Sequence, residues 1–175
     1  MKTFSATITV LLFVLSFSAV PSFSQGTESG SINVTGTVLE RLTVIPTNDL
    51  ELGFILPGES KTIAPDAAEA GSFFIQGDGG REVELSFTLP SVLELITDPA
   101  NTMSLIFSET SAIHNIEDDA SAGATFDPDT GTTMPLNVVN GELYVFIGAT
   151  VDATPTQEPG NYEATVTLTL EYTGN

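Results

Sequence analysis

Apolar and polar residues alternate along several short stretches of the chain, most regularly near its C-terminus. In residues 160–175, GNYEATVTLTLEYTGN, an apolar or aromatic side chain occupies every second position of residues 162–172. Because successive side chains of an extended strand point to opposite faces, this pattern predicts a β-strand with one buried face. We expect Val166, Leu168 and Leu170 to point into the core.

The polar side chains of the same run, including Thr165, Thr167 and Thr169, are expected to point outward. The run is longer than the usual strand of about five or six residues, so its edge needs a partner. Residues 143–151 form a second clear alternating run with a matching apolar face. We predict that the terminal strand lies beside that run.

Short alternating runs separated by Gly, Pro, Asn and Asp recur through the chain, and no stretch of about twelve residues shows apolar positions at helical spacing with helix start and stop signals. The sequence therefore predicts an all-β protein. Besides the terminal run, the predicted strands are 32–45, 50–55, 60–64, 72–76, 81–89, 92–96, 103–108, 136–139 and 142–151.

Strands with one solvent-exposed face are typical of sheets that stack in pairs. We therefore expect a two-layer β-sandwich of the immunoglobulin-like or pilin-like kind with Greek-key connections, and a closed barrel is the alternative. Residues 109–135 are rich in acidic and turn-forming residues. We predict a long acidic loop there that crosses one end of the sandwich.

The first 24 residues have the pattern of a secretory signal peptide. Lys2 precedes an apolar run over residues 8–20, Pro21 ends that run, and small residues flank a predicted cleavage after Ser24. The apolar run is shorter than the ~20 residues that span a bilayer, so we expect no stable membrane insertion after cleavage. Residues 25–175 would then form a single exported domain, found in the periplasm, at the cell surface or outside the cell.

The negative charge of the chain limits the kinds of partner that it can bind. Loss of Lys2 with the leader leaves three basic residues against 23 acidic ones, and such a surface repels nucleic acid and anionic membranes. The sequence has no cysteine, which excludes disulfides, thiolate metal sites and a lipid-modified cysteine. Since 41% of the residues are hydrophobic, we expect a folded domain with the charged residues on its surface.

Three motifs carry a family resemblance: DLELGFILPGES at 49–60, GSFFIQGDGGREVELSFTLPSVLEL at 71–95, and GELYVFIGATVDATPTQEPGNYEATVTLTLEY at 141–172. In order and spacing they resemble the family of short secreted bacterial proteins known as domain of unknown function 4402. This sequence departs from the family pattern at residues 52–54, where the glycine precedes the phenylalanine. The resemblance implies a secreted β-sandwich and no particular activity.

The C-terminal strand also resembles that of pilus subunits of the chaperone and usher type. Those subunits carry an alternating strand with a glycine twelve residues before a near-terminal aromatic, and here Gly160 and Tyr172 have that spacing. The resemblance implies an incomplete sandwich whose open groove accepts an extended segment from a neighbouring subunit. Its expected partners are copies of the same chain or an assembly chaperone.

The N-terminal run of the mature chain is a candidate for the donated segment. Ile32, Val34, Gly36 and Val38 alternate with polar residues, as strand addition requires. The alternative is that these residues are the first strand of the domain itself.

Candidate sites for chemistry are few. His114 is the single histidine, so a two-histidine metal site is excluded, and a solvent-exposed loop position is expected for it. Asp118, Asp119, Asp127 and Asp129 are candidate calcium ligands, with a solvated acidic loop as the alternative. We expect no catalytic residues and no obligatory cofactor.

Together these features predict a non-enzymatic, exported structural protein of the bacterial surface, a pilin-like or adhesin-like subunit that assembles by strand complementation. The alternative is a monomeric secreted ligand-binding β-sandwich, supported by calcium, whose acidic loop contacts the ligand.

Overall fold

The fold was derived from a computed structural model, which describes residues 27–174 of the chain. The predicted signal peptide, residues 1–24, lies outside the described residues. The chain divides into two units, Met1–Gly36 and Thr37–Asn175. In the first unit, the described residues 27–36 are exposed and form no helix or strand.

The second unit is built from thirteen β-strands and one short 3-10 helix, η1, over residues 37–174. Short strands bounded by turns are what the alternating sequence predicts. The strands are β1 (Thr43–Asn48), β2 (Ser60–Ile63), β3 (Gly71–Gln76), β4 (Glu82–Thr88), β5 (Val92–Leu95), β6 (Asp98–Ile106), β7 (Ala112–Asn115), β8 (Ala124–Phe126), β9 (Thr132–Pro135), β10 (Glu142–Ile147), β11 (Ala149–Asp152), β12 (Tyr162–Glu163) and β13 (Thr167–Tyr172), and η1 is Ala120–Ala122.

All strand pairs are antiparallel, and they form three sheets. Sheet A has the order β1-β3-β10-β7-β8, sheet B the order β12-β5-β6-β11-β2, and sheet C the order β13-β4-β9. Sheets B and C follow each other along the chain, because β4 leads into β5 and β12 leads into β13. The predicted all-β sandwich is confirmed.

The core lies between these sheets in two clusters. The first cluster joins sheet A to sheet C, since Ile75 and Leu143 from sheet A pack with Leu85 and Leu168 from sheet C. The second cluster lines sheet B and includes Leu93, Met103, Leu105, Ala149 and Val151. On the side opposite sheet B, the irregular residues 50–55 cover this cluster with three partly buried side chains, Leu50, Leu52 and Ile55.

One long run of chain, residues 142–152, connects the two clusters. Its first part is β10 in sheet A and its second part is β11 in sheet B, and Gly148 lies at the transition. A Cβ atom at Gly148 would collide with the carbonyl oxygen of Ile63, so the close approach of the two backbones requires glycine.

The prediction of a loop over residues 109–135 is wrong. This segment contains β7, η1, β8 and all of β9, and β7 pairs with β10, the central strand of sheet A. The strands are short and carry many polar residues; β7 pairs with β10, β8 pairs with β7, and β9 pairs with β4. The predicted strand 136–139 is also wrong, since β9 ends at Pro135 and residues 137–141 form the turn to β10.

Two predicted strands in the N-terminal half are corrected as well. The strand predicted at 32–45 begins only at Thr43 and continues to Asn48, because its partner β3 ends at Gln76 and the chain then turns. The strand predicted at 50–55 is irregular. Gly53 has a φ of 63°, which an extended strand does not allow.

The orientation predicted for the terminal strand is confirmed, but its predicted neighbour is wrong. Leu168 is buried and Val166 and Leu170 are half-buried, whereas Thr165, Thr167 and Thr169 are exposed. The strand pairs with β4 and β5 and does not lie beside residues 143–151. Both sides of that run are already occupied, by β3 and β7 along β10 and by β2 and β6 along β11.

Candidate assembly edge and cleft

The C-terminal run of the chain lies at an edge of the sandwich along its whole length. β12 is the first strand of sheet B and β13 is the first strand of sheet C. β12 pairs with β5 and β13 with β4. The opposite side of the two strands has no neighbouring strand among residues 27–174. We call this side of β12 and β13 the open edge.

The hydrogen-bond register defines which backbone groups point to the open edge. The backbone N–H of Thr173 donates to the carbonyl oxygen of Glu82 at 3.2 Å, so residue 173 is in a hydrogen-bonded pair with β4. Antiparallel pairs alternate between bonded and non-bonded positions. The N–H and C=O groups of Leu168, Leu170 and Tyr172 therefore point away from β4, as strand addition requires.

Tyr172 fixes one end of the open edge. Its hydroxyl accepts a hydrogen bond from the N–H of Asp78 at 2.7 Å and donates one to the carbonyl oxygen of Glu40 at 3.0 Å. Its ring packs against the first core cluster, as does Leu42. The side chain of Tyr172 therefore anchors residues 40–42 at this end of the sandwich.

The other end of the open edge lies at a cleft of about 630 Å³. One wall is the irregular segment 50–57, the other is residues 157–164, and the buried side chains of Leu93 and Met103 form the floor. Phe54 stands at the rim with its side chain fully exposed. An exposed aromatic residue beside an apolar cleft is typical of an interaction surface.

The far wall of the cleft is held by hydrogen bonds of Tyr162. Its hydroxyl donates to the carbonyl oxygen of Glu158 at 2.8 Å and accepts from the side-chain amide of Gln157 at 2.7 Å. Gly160 borders the cleft, and a Cβ atom there would collide with the side chain of Leu95. Gly160 and Tyr172, which the sequence singles out together, thus lie near opposite ends of the same edge.

The predicted donor residues have no strand partner in the described chain. Ile32, Val34 and Val38 are 88%, 90% and 96% exposed, and apart from the two chain neighbours no residue has an atom within 4 Å of a Cβ position at Gly36. Residues 29–39 contain no charged residue. Whether these residues join the open edge of another copy stays a prediction.

The acidic residues named as calcium candidates form turns. Asp119 accepts hydrogen bonds from the backbone and hydroxyl of Ser121, and these bonds lower the pKa of its carboxyl. Asp127 accepts from the N–H of Asp129 at 2.9 Å. Within residues 27–174, no three His, Cys, Asp or Glu side chains, Asp118 included, are grouped so as to hold a metal ion.

His114 is not in a loop as predicted. It lies in β7, partly buried, with its ring centroid 5.8 Å from that of Phe126. Removal from water disfavours the charged imidazole and lowers the pKa of His114. The environment is that of a packed side chain at the margin of the first core cluster.

The cleft and Phe54 were missed by the sequence analysis. The signal was present in Gly53, since a glycine inside an apolar run often marks a departure from regular strand geometry. That departure turns the side chain of Phe54 outward beside the cleft.

A family model described as "Domain of unknown function (DUF4402)" matches residues 30–172. The chain belongs to this family. The part of this DUF4402 protein that matches includes the exposed segment, the cleft and the open edge. In the described part of the chain, no helix is long and apolar enough to span a membrane.

Among solved structures, the DUF4402 chain is similar to one described by the words "Chaperone-tip adhesin complex is vital for synergistic activation of CFA/I fimbriae biogenesis". The TM-score is 0.44 and the sequence identity is 11%. The similarity covers 76% of this chain and 43% of that chain, so this chain spans less than half of its structural relative. No match is found among curated proteins.

Proposed function

We propose that this DUF4402 protein is a non-enzymatic, exported structural component of the bacterial surface whose copies join by strand addition. The observation that carries the proposal is the open edge of β12 and β13, where backbone groups of Leu168, Leu170 and Tyr172 point away from the sandwich. Residues 29–39 of a second copy are the proposed added strand.

The proposed donor matches the open edge in pattern and in length. Ile32, Val34, Gly36 and Val38 occupy alternate positions, so all four would face the core when the segment is extended. Residues 29–39 equal residues 162–172 in number. Burial of a valine or isoleucine side chain contributes about 1.5 to 3 kcal/mol, which favours removal of these exposed side chains from water.

The lack of charge in residues 29–39 also favours them as the added strand. Copies of a chain with a net charge of −19 repel each other over most of their surface. The open edge itself carries Glu163 and Glu171. An uncharged segment such as 29–39 approaches this edge without adding a like charge, whereas most other surfaces of the chain would add one.

Export and absence of catalysis are parts of the same proposal. The pattern of residues 1–24 supports secretion, with cleavage after Ser24. The location of the single histidine, His114, against Phe126 supports a structural role for that side chain. The proposed partners are further copies of this chain and an assembly chaperone that covers the open edge before assembly.

The test is the oligomeric state of the purified protein and of two charge-matched variants. Val34→Asp places a carboxylate on the proposed inward face of the donor, and Thr35→Asp places one on its outward face. We expect wild-type and Thr35→Asp chains to form oligomers in light scattering and Val34→Asp chains to stay monomeric with an unchanged melting temperature. If both variants assemble equally, strand addition by this segment is wrong.

A deletion of residues 29–39 tests whether the segment belongs to the domain itself. We expect the shortened chain to fold as a monomer. If the deletion unfolds the protein, residues 29–39 are its own first strand and the assembly proposal fails.

A monomeric ligand-binding module is the second candidate, and one observation favours it. On the outer face of sheet A, Phe74 and Tyr144 pack with ring centroids 5.2 Å apart. Burial, together with the nearby carboxylates of Glu142, Asp118 and Glu117, raises the pKa of Tyr144. An aromatic pair beside acidic side chains suits a cationic ligand. A wild-type protein that is monomeric at all concentrations would favour this candidate.

A further inference from the structure

Two groups of exposed apolar residues lie at opposite ends of the sandwich. At one end, Val138 and Val139 are 78% and 90% exposed in the turn between β9 and β10. At the other end, Phe54 stands at the rim of the cleft, Leu56 is exposed two residues later, and Ile96 is exposed where its N–H donates to the carbonyl oxygen of Asn161, a residue of the cleft lining. We call residues 137–141 the tip.

The distance between these ends follows from the strand that joins them. The run from Glu142 to Asp152 begins directly after the tip, and Ala153, which follows it, lines the cleft. At about 3.3 Å per residue, this run separates the tip from the cleft by roughly 30 Å. The tip of a copy therefore cannot reach its own cleft.

The tip is a tight turn held by two hydrogen bonds. The N–H of Gly141 donates to the carbonyl oxygen of Asn137 at 2.8 Å, and the N–H of Val139 donates to the side-chain oxygen of Asn137 at 2.9 Å. Gly141 has a φ of 70°, the conformation that closes such a turn. The two valines are held outward with little freedom to lose on binding, which favours a specific contact.

Charge selects the tip as the occupant of the cleft. Residues 137–141, Asn-Val-Val-Asn-Gly, carry no charge, while the cleft wall carries Glu158 and Glu163. In a chain with 23 acidic and four basic residues, an uncharged apolar turn adds no charge of its own against this wall, and the carboxylate of the adjacent Glu142 is bonded by the side-chain amide of Asn140 at 2.7 Å.

We propose that the tip of one copy docks into the cleft of the next, with Val138 and Val139 against Phe54, so that copies stack head to tail. Such a contact joins two different surfaces, so it is heterologous and can be repeated from copy to copy to build a filament. The proposal rests on the self-association proposed above, and it adds a second contact to the added strand.

The two contacts are geometrically compatible. The N–H of Gly77 donates to the carbonyl oxygen of Gly141 in the tip, and the N–H of the next residue, Asp78, donates to the hydroxyl of Tyr172. Because that hydroxyl in turn donates to the carbonyl oxygen of Glu40, Glu40 lies at the tip end of the molecule. Glu40 directly follows the donor segment, residues 29–39. The donor segment of one copy thus begins beside the cleft end of the next. It would run antiparallel to β12 and β13, as every strand pair in the sandwich does.

The absence of cysteine from the sequence makes a direct test available. A mixture of Val139→Cys and Phe54→Cys chains should yield disulfide-linked dimers under mild oxidation, and each variant alone should yield none. The double variant Val139→Cys with Phe54→Cys should yield a ladder of dimers, trimers and longer species on non-reducing gels. Thr125→Cys, an exposed position in β8, replaces Val139→Cys as the control and should give no ladder.

Failure of this inference can be told apart from failure of strand addition. If the ladder is absent while assembly still depends on Val34, the tip contact is wrong and the added strand stands. If the ladder forms even with Val34→Asp, the tip contact stands without the strand. Dimers formed by either single cysteine variant would indicate a symmetric contact and would overturn the head-to-tail arrangement.

Discussion

The hydroxyl of Tyr172 lies 3.0 Å from the carbonyl oxygen of Glu40, to which it donates a hydrogen bond. This bond joins the end of the last strand to the chain just before the first strand. The same hydroxyl accepts a second hydrogen bond, from the N–H of Asp78 at 2.7 Å. One hydroxyl thus connects three segments that are distant in sequence.

Replacement of Tyr172 by Phe keeps the ring and removes these bonds. The bond to Asp78 is partly buried and the bond to Glu40 is exposed, so Tyr172→Phe should lower the free energy of unfolding by about 0.5 to 1.5 kcal/mol, the net contribution of a hydrogen bond. Urea denaturation measures the change. A variant as stable as the wild type would show that the hydroxyl is replaced by water at no cost.

Leu168 should be far more important for stability than its neighbour Thr167. Leu168 is buried in the first core cluster, and Leu→Ala substitutions in such sites cost about 2 to 5 kcal/mol. Thr167 is exposed, and Thr167→Ala should change the free energy of unfolding by about 0.5 kcal/mol or less. Equal losses in urea denaturation would contradict the register of β13.

His114 should make the protein less stable in mild acid. Burial lowers its folded pKa below the ordinary value of 6.5, so the unfolded chain binds the proton more readily. Stability is therefore complete above pH 6.5 and decreases as the pH falls from there toward the lower folded pKa. The difference in free energy of unfolding between wild type and His114→Gln should vary with pH in this window and be constant above it; a constant difference throughout would refute the assignment.

Calcium should have little effect on thermal stability. Asp119 and Asp127 already bond to backbone groups of their own turns. A specific site filled a hundredfold above its dissociation constant would add about 2.7 kcal/mol and shift the melting temperature by several degrees. We expect a smaller shift on calcium titration. A large shift that Asp127→Asn abolishes would establish a calcium site and favour the ligand-binding alternative.

Much of the sandwich follows from alternation alone. Residues 82–88, 142–147 and 167–172 each place every second side chain in the core, and period two fixes which face is buried. Alternation does not specify the neighbour of a strand. The partner of β13 depends on which edges remain after β3 and β7 have paired with β10, and that is decided by the whole fold.

The weakest predictions concern segments whose structure depends on distant partners. Residues 112–115 end in the polar residues His114 and Asn115, yet they form a strand because they pair with β10. Residues 50–55 are apolar enough for a strand, yet Gly53 takes a positive φ. The cleft arises from that departure together with the loop 157–161, so Gly53 could mark an irregular segment but could not show that distant residues complete a cleft beside it.

The central claim is that residues 29–39 of one copy add to the open edge of another, and amide hydrogen exchange tests it residue by residue. In the monomeric chain, the amides of Thr167, Thr169 and Glu171 should be protected by β4, while those of Leu168, Leu170 and Tyr172 exchange faster.

A synthetic peptide of residues 29–39 added to the monomeric deletion variant should slow exchange at Leu168, Leu170 and Tyr172. The same peptide with Val34→Asp should not. Unchanged exchange at these three amides with the unmodified peptide, or full protection before any peptide is added, would contradict the account.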